Sequence, residues 1–224
     1  MKNDMKPGRT SLLLMTLVGL VAAPGCGSDS STDPGTGTHT LAVQGQASRN
    51  ADDDTASLHV SVERAGVKVD DAVVTVHSER GDVTLTRDGG GDYVGVQAGW
   101  AGSYQLEVVA GSDRLDGTIR APEVMTLLSP DPAVAIDAHA ALNGIVTLRW
   151  SGAAADSIRV KSKDFDYQGT DEGHVDMAAA QLKEGSQDVE LRRENSVAPA
   201  GGVAGSTLTA SCRGNFTLIV VNPF

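Results

Sequence analysis

The sequence predicts an all-β protein in which two tandem antiparallel β-sandwich modules follow a signal peptide and a flexible tether. Short segments alternate apolar and polar residues, which is the pattern of strands with one face in a core. Glycine-containing turns separate these segments, because tight hairpins need residues with positive φ. A Pro-rich linker at residues 122–132 divides the segments into two groups, 41–121 and 133–224, each long enough to bury a core.

The composition is that of a folded, acidic protein. The chain has 224 residues, with 18 Lys and Arg against 29 Asp and Glu, and a formal net charge of -11. Hydrophobic residues make up 40% and charged residues 21%, as in globular proteins. A nucleic-acid-binding surface needs a basic excess or a basic stripe, and the sequence shows neither. Nucleic acid is therefore not expected as a partner.

Residues 1–25 have the organisation of a secretory signal peptide. A basic head precedes an apolar run at 11–23, which is too short to span a bilayer as a helix. The segment ends in Ala-Pro-Gly-Cys at 23–26, which resembles the lipobox of bacterial lipoproteins. The resemblance implies that Cys26 is acylated, for example with palmitate. Gly27 stands where lipoproteins retained at the inner membrane often have Asp, so the resemblance implies the outer membrane if the cell is Gram-negative. An ordinary cleaved signal peptide with an incidental Cys is the alternative.

Residues 26–40 read as a flexible tether. After Cys26 the segment holds no large apolar residue, so it cannot bury enough surface to offset its ordering entropy. Two acyl chains are enough for stable anchoring, so lipid and tether together would hold a domain off the membrane. Cys212 then has no partner within the chain, and we expect it to be a small buried residue in a strand. A reactive free thiol or a disulfide between two chains is the alternative.

The first module, residues 41–121, carries two motifs of known bacterial domains. Gly-Val-Lys-Val-Asp-Asp-Ala-Val-Val-Thr-Val at 66–76 is similar to a strand pair of immunoglobulin-like and carboxypeptidase-regulatory-like domains. Ala-Gly-Ser-Tyr-Gln-Leu-Glu-Val at 101–108 resembles another of their strands. The resemblance implies a tyrosine corner at Tyr104, with its hydroxyl bonded to nearby backbone. It also implies a role in presentation, spacing or adhesion, because such sandwiches seldom catalyse.

The second module, residues 133–224, contains a tryptophan-bearing strand. Ile-Val-Thr-Leu-Arg-Trp-Ser-Gly-Ala at 145–153 resembles the corresponding strand of fibronectin type III domains, which implies that Trp150 fills the centre of a core. Residues 178–182 have the helical propensity for one short helix. The final run at 216–221 is apolar on both faces, which predicts a central or well-covered strand.

Candidate sites are few. The sequence lacks the nucleophile elbow, the zinc-protease helix motif and the phosphate-binding loop, and we expect neither an enzyme nor a cofactor. Loop carboxylates can bind calcium, which makes Asp52, Asp53 and Asp54 weak candidates, with Asp164, Asp166, Asp171 and Glu172 in a second predicted loop. Solubility alone also accounts for them. Trp100 lies in a Gly-rich turn and is a weak ligand-binding candidate. His174, flanked by Asp171, Glu172 and Asp176, is an acid–base arrangement in principle.

We therefore expect a lipid-anchored envelope protein, most consistent with the bacterial outer membrane, with a non-catalytic structural, adhesive or scaffolding role. Its expected partners are the membrane, through the N-terminal lipid, and an unidentified envelope protein. A carbohydrate- or small-ligand-binding lipoprotein is the alternative, and an enzyme centred on His174 is the least favoured reading.

Overall fold

The computed structural model describes residues 39–222, and the prediction of an all-β fold is confirmed there. This part of the chain forms 17 strands and two 3-10 helices, Leu142–Gly144 and Ala179–Gln181. No helix within it is long and apolar enough to cross a membrane. The predicted signal peptide, Cys26 and the tether up to residue 38 lie outside the described residues.

The largest sheet has ten strands and extends through the whole described part of the chain. Its main path runs from edge to edge in this order: β14 (Asp166–Gly169), β13 (Ser157–Lys161), β16 (Gly185–Val197), β17 (Thr207–Val221), β1 (Leu41–Arg49), β2 (Thr55–Arg64), β7 (Asp92–Ala98) and β6 (Thr86–Gly89). Two short strands join it: β3 (Val67–Lys68) pairs with β2, and β11 (Ile136–Asp137) pairs with β17. All pairings are antiparallel except those of β17 with β1 and with β11.

Two smaller sheets complete the structure. One has four strands in the order β5 (Val83–Thr84), β4 (Val73–His77), β8 (Ser103–Ala110) and β9 (Asp113–Arg120). The other has three, in the order β10 (Leu127–Ser129), β12 (Ile145–Trp150) and β15 (His174–Ala178). Residues of the small sheets share hydrophobic clusters with residues of the ten-stranded sheet. This layering of sheets is that of a β-sandwich.

The alternation read from the sequence sets which face of each strand is buried. In β2, Leu58, Val60 and Val62 are buried, whereas Ser57 and His59, on either side of Leu58, are exposed. Successive side chains on a strand point to opposite faces, so one face enters the core and the other meets water. Burying an aliphatic side chain of this size contributes about 1.5–3 kcal/mol, which fixes the register of the strand.

The core consists of two hydrophobic clusters, and β17 contributes to both. The first cluster contains Leu208 and Ala210 together with residues from 41–121. The second contains Cys212, Leu218 and Val220 together with residues from 125–191. The first half of β17 enters the first cluster by pairing in parallel with β1, from Gln44 opposite Thr207 to Arg49 opposite Cys212. The division at residues 122–132 remains a prediction, but the first cluster takes two residues from the predicted second module.

Two glycines leave the space in which the Leu208 side chain of β17 packs in the first cluster. A Cβ atom at Gly45 of β1 would lie 2.8 Å from Leu208 Cδ2, and one at Gly117 of β9 would lie 2.7 Å from Leu208 Cδ1. Atoms do not approach so closely, so a side chain at either position would displace Leu208. Glycine in a strand interior marks such a close approach.

Several local predictions are confirmed. Trp150 is 4% exposed and lies in the second cluster. The Tyr104 hydroxyl accepts a hydrogen bond of 3.0 Å from the amide of Ala101, three residues upstream. Cys212 is a free, buried cysteine within β17. The short helix at 178–182 is a single 3-10 turn, Ala179–Gln181.

One local prediction was wrong, and another is confirmed with one face of its strand left open. Asp166, expected in a loop, is the first residue of the edge strand β14. The run at 216–221 is central in the sheet, as predicted, but it is not covered on both faces, because Ile219 is 44% and Val221 37% exposed. The small sheet covers only the face that carries Leu218 and Val220.

Candidate functional site

The strongest candidate for a functional surface is the outer side of the ten-stranded sheet. We call the outward side chains of β13, β16, β17, β1 and β2 the polar face. On β17 these residues alternate with buried Leu208, Ala210 and Cys212. Up to Thr217 every outward residue of this strand is polar: Thr207, Thr209, Ser211, Arg213, Asn215 and Thr217. From Thr207 to Thr217 the face therefore carries hydrogen-bonding groups, of which Ser211 is buried, and beyond Thr217 the exposed residues Ile219 and Val221 are apolar.

Three arginines stand side by side at one end of the polar face. Arg159 of β13 lies opposite Arg192 of β16, which lies opposite Arg213 of β17. We call these three residues the arginine row. Neighbouring strands are about 4.8 Å apart, so the row extends over about 10 Å. Like charges directly opposite each other on a sheet are destabilising, so this arrangement needs compensation.

Carboxylates beside the arginine row supply that compensation. Arg159 binds Asp166 through two hydrogen bonds, of 3.0 Å from Nε and 2.6 Å from Nη2. Arg192 Nη2 lies 2.8 Å from Glu194 Oε2, and Arg213 Nη1 lies 3.5 Å from Glu190 Oε2.

The carboxylates leave much of the hydrogen-bonding capacity of the row unused. The hydrogen bonds from Arg159 hold the pKa of Asp166 below its ordinary value. Each guanidinium has five N–H donors, and the acidic neighbours occupy only one or two of them. The remaining donors of the arginine row are open to water or to a ligand.

An open hollow of about 750 Å³ lies beside the arginine row. It is lined by the row and by Lys161, Lys163, Asp188, Glu190 and several neutral residues. Lys161 and Lys163 are exposed, and neither forms an ion pair with another residue in the range 39–222. This end of the face therefore gathers positive charge that its own carboxylates do not fully neutralise.

The other end of the polar face is nearly neutral. A hollow of about 350 Å³ there is lined by Gln44, Gln46, His59, Ser61, Thr207 and Thr209, with the backbone of Gly45. His59 Nε2 lies 3.7 Å from Asp92 Oδ1, too far for a hydrogen bond. This end offers hydrogen-bonding groups but little charge.

The predicted acidic candidates Asp52, Asp53 and Asp54 lie in the turn between β1 and β2, where all three are exposed. Asp53 accepts a hydrogen bond of 3.0 Å from the Asn50 amide, which stabilises the turn itself. Across residues 39–222, no group of three His, Cys, Asp or Glu side chains is placed to hold a metal ion.

Trp100 is half-buried at the junction of the two clusters and packs against both. Its Nε1 donates a hydrogen bond of 2.8 Å to the carbonyl of Pro122, and its ring meets Tyr104 edge-on with a centroid distance of 5.4 Å. These contacts give Trp100 a structural role in packing the two clusters together. Ligand binding at Trp100 remains an untested prediction.

His174 and its neighbours in sequence point to different places. Its Nδ1 lies 3.2 Å from the backbone carbonyl of Glu172. Asp176 accepts a hydrogen bond from Thr147, and Asp171 turns into the core. The carboxylates of Asp171 and Asp176 are therefore engaged with other partners, and Glu172 meets His174 through its backbone carbonyl.

The structure also contains a buried ion pair that the sequence analysis missed. Arg193 and Asp171 have fully buried side chains, with 2.6 Å between Nε and Oδ2. We call this pair the junction clasp. Arg193 also donates to three backbone carbonyls: that of Glu123 in the predicted linker, and those of Ser151 and Ala153 in the β12–β13 loop. The pair thus ties the predicted linker and the β12–β13 loop to β16.

Asp171 is kept ionised by its hydrogen bonds. Burial on its own raises the pKa of this carboxyl, but donors from Ala155, Gly173, Trp150 and Arg193 outweigh it, and the pKa lies below its ordinary value. Next to the clasp, Cys212 Sγ donates a hydrogen bond of 3.3 Å to the Glu123 carbonyl. Burial raises the pKa of this thiol to about 11, so Cys212 is not a reactive cysteine.

No protein-family model matches the chain, and a search of curated proteins found no similar sequence.

Proposed function

We propose that this chain is a lipid-anchored protein of the bacterial cell envelope with a non-catalytic adhesive or scaffolding role. In this proposal, acylated Cys26 holds the chain in the outer membrane and residues 26–40 act as the tether. The β-sandwich then presents its polar face to a partner. The immunoglobulin-like and fibronectin type III-like character of the two predicted modules belongs to the proposal, because domains of these kinds commonly present, space or adhere.

The observation that carries the proposal is the passage of β17 through both hydrophobic clusters. Two modules joined only by a linker would move relative to each other, as small inter-domain interfaces allow. Here a continuous sheet, the Trp100 contact with Pro122 and the junction clasp hold the two clusters together. A rigid body on a flexible tether suits a protein that displays one surface at a distance from a membrane. The net charge of -11 supports this picture, because it repels the body from anionic lipid.

Metabolic labelling tests the anchor. Cells that express the full chain would be fed radiolabelled palmitate, and membrane and soluble fractions would be compared for wild type, Cys26→Ala and Cys212→Ala. We expect label and membrane association in wild type and in Cys212→Ala, and loss of both in Cys26→Ala. A wild-type protein that is unlabelled and soluble in the periplasm would refute the anchor.

Protease accessibility separates the two roles. Intact cells would be treated with protease, with a periplasmic protein as the control for leakage. Digestion would place the body outside the cell and support adhesion, whereas protection would support a scaffold within the periplasm. Recovery of the chain in the cytoplasm would contradict both.

A further inference from the structure

We infer that the arginine-row end of the polar face binds an acidic polysaccharide through the carboxylate groups of its sugars. The inference rests on the proposed function in one respect, because it names the partner class for the adhesive role. Binding itself does not require the lipid anchor, so the two can fail separately.

The donor geometry is the first argument. A guanidinium presents parallel N–H groups that match a carboxylate, and such charge-assisted pairs are the strong hydrogen bonds of protein surfaces. Arg192 uses one nitrogen on Glu194, and Arg213 approaches Glu190 only to 3.5 Å. Both guanidinium groups therefore retain donors for an incoming carboxylate. The row is about two strand spacings long, which suits a linear chain with repeated acidic groups better than a single small anion.

The charge distribution is the second argument. The hollow beside the row is lined by five basic side chains and two acidic ones, Asp188 and Glu190. With Asp166 and Glu194, which pair with the row, the balance is five to four, a small positive excess on a chain whose net charge is -11. A polyanion is repelled by most of such a surface and attracted here, which confines its binding to this end of the face.

The chemistry of the lining favours a polysaccharide over an acidic protein. Protein-binding surfaces take most of their affinity from aromatic or aliphatic anchors that enter pockets. The one apolar residue that lines the hollow, among residues 39–222, is Val189, and it is buried. The exposed amide side chain of Asn215 lines the hollow as well, and that of Gln168, opposite Arg159, is also exposed. These side chains can hydrogen-bond to sugar hydroxyls.

Binding would be measured by biolayer interferometry with the full chain purified in detergent. The probes are polygalacturonate, neutral dextran and poly-L-glutamate, each at low and high salt. We expect polygalacturonate to bind, with an affinity that falls as salt rises, and dextran not to bind. Equal or tighter binding of poly-L-glutamate would overturn the polysaccharide assignment in favour of an acidic protein, and no binding of either polyanion would overturn the site.

Matched variants locate the binding. The triple variant Arg159→Gln, Arg192→Gln, Arg213→Gln removes the row, and Arg80→Gln, Arg120→Gln, Arg149→Gln removes the same charge from exposed arginines elsewhere. We expect the first to weaken polygalacturonate binding at least about tenfold, since an exposed charge pair contributes a factor of roughly two to five. The second should weaken it much less. Equal losses in both would show that net charge alone is responsible and would overturn the site.

A milder variant covers the case in which the triple variant does not fold. Lys161→Gln with Lys163→Gln changes two exposed side chains that form no ion pair with another described residue. It should fold as wild type does and weaken binding by a factor of at least about two. Unchanged affinity in this variant would contradict the proposal. If the wild type is not labelled with palmitate but still binds polygalacturonate, the lipid anchor is refuted and the binding site is supported.

Discussion

The junction clasp and the Arg159–Asp166 pair of the polar face each join an arginine to an aspartate. The shortest distance between a guanidinium nitrogen and a carboxylate oxygen is 2.6 Å in both. They differ in their surroundings. Both side chains of the clasp are fully buried, whereas Arg159 is 47% and Asp166 48% exposed. Water competes for every hydrogen bond of the exposed pair and screens its charges, so the pair contributes little to stability. No water competes inside the clasp, and loss of one partner there leaves an unpaired charge in the core.

Two Arg–Asp ion pairs with the same shortest distance therefore have different effects in this protein, because one is buried and the other is exposed. The clasp fixes two backbone segments, the predicted linker and the β12–β13 loop, around β16, because Arg193 donates hydrogen bonds to their carbonyls. The exposed pair holds the arginine row in place but leaves donors free for a ligand. We therefore expect substitutions in the clasp to affect folding and substitutions in the row to affect binding.

The largest expected effect comes from Asp171→Asn. The change keeps the shape of the side chain but leaves the Arg193 charge buried without a counterion, and we expect a loss of about 3–5 kcal/mol in the free energy of unfolding. Urea denaturation of the full chain in detergent measures it. A loss below about 1 kcal/mol would show that water reaches the clasp.

We also expect the stability loss in Asp171→Asn to depend on pH. The pKa of Asp171 in the folded protein lies below its ordinary value of 3.8, so its contribution is fully present above that value and is lost as the pH falls through the folded pKa. The stability difference between wild type and Asp171→Asn should therefore be largest near neutral pH and narrow under acid conditions. Urea titrations of both proteins between pH 7 and pH 3 measure this. A difference that stays constant would mean that Asp171 is not the group that titrates.

The smallest expected effect comes from Asp166→Asn, which breaks the exposed pair as Asp171→Asn breaks the clasp. Its urea midpoint should differ from that of wild type by no more than the error of the measurement. Polygalacturonate should bind this variant more tightly, because a repelling charge is gone and Arg159 regains two donors. A large shift in the midpoint would remove the distinction between the two pairs.

Part of this site could have been read from the sequence. In Val-Glu-Leu-Arg-Arg-Glu at 189–194, the period of two places Arg193 on the same face as buried Val189 and Leu191. An arginine at an inward position needs a buried counterion, so the pattern carried a sign of the clasp. Nothing in the sequence indicated that Asp171, on a different segment, would be that counterion. No sequence pattern indicated the arginine row, because its three residues lie on different strands and meet only through strand pairing.

The sequence by itself determined the elements: alternating strands, glycine turns, the core positions of Tyr104 and Trp150 and the burial of Cys212. These depend on local periodicity and on side-chain hydrophobicity, which each segment carries alone. Only the tertiary structure decided that β17 pairs in parallel with β1 and joins the two clusters. It also decided that three arginines meet in one row and that Asp171 reaches Arg193. Strand partners and register depend on the shape of the whole core, where Gly45 and Gly117 leave the space that Leu208 fills.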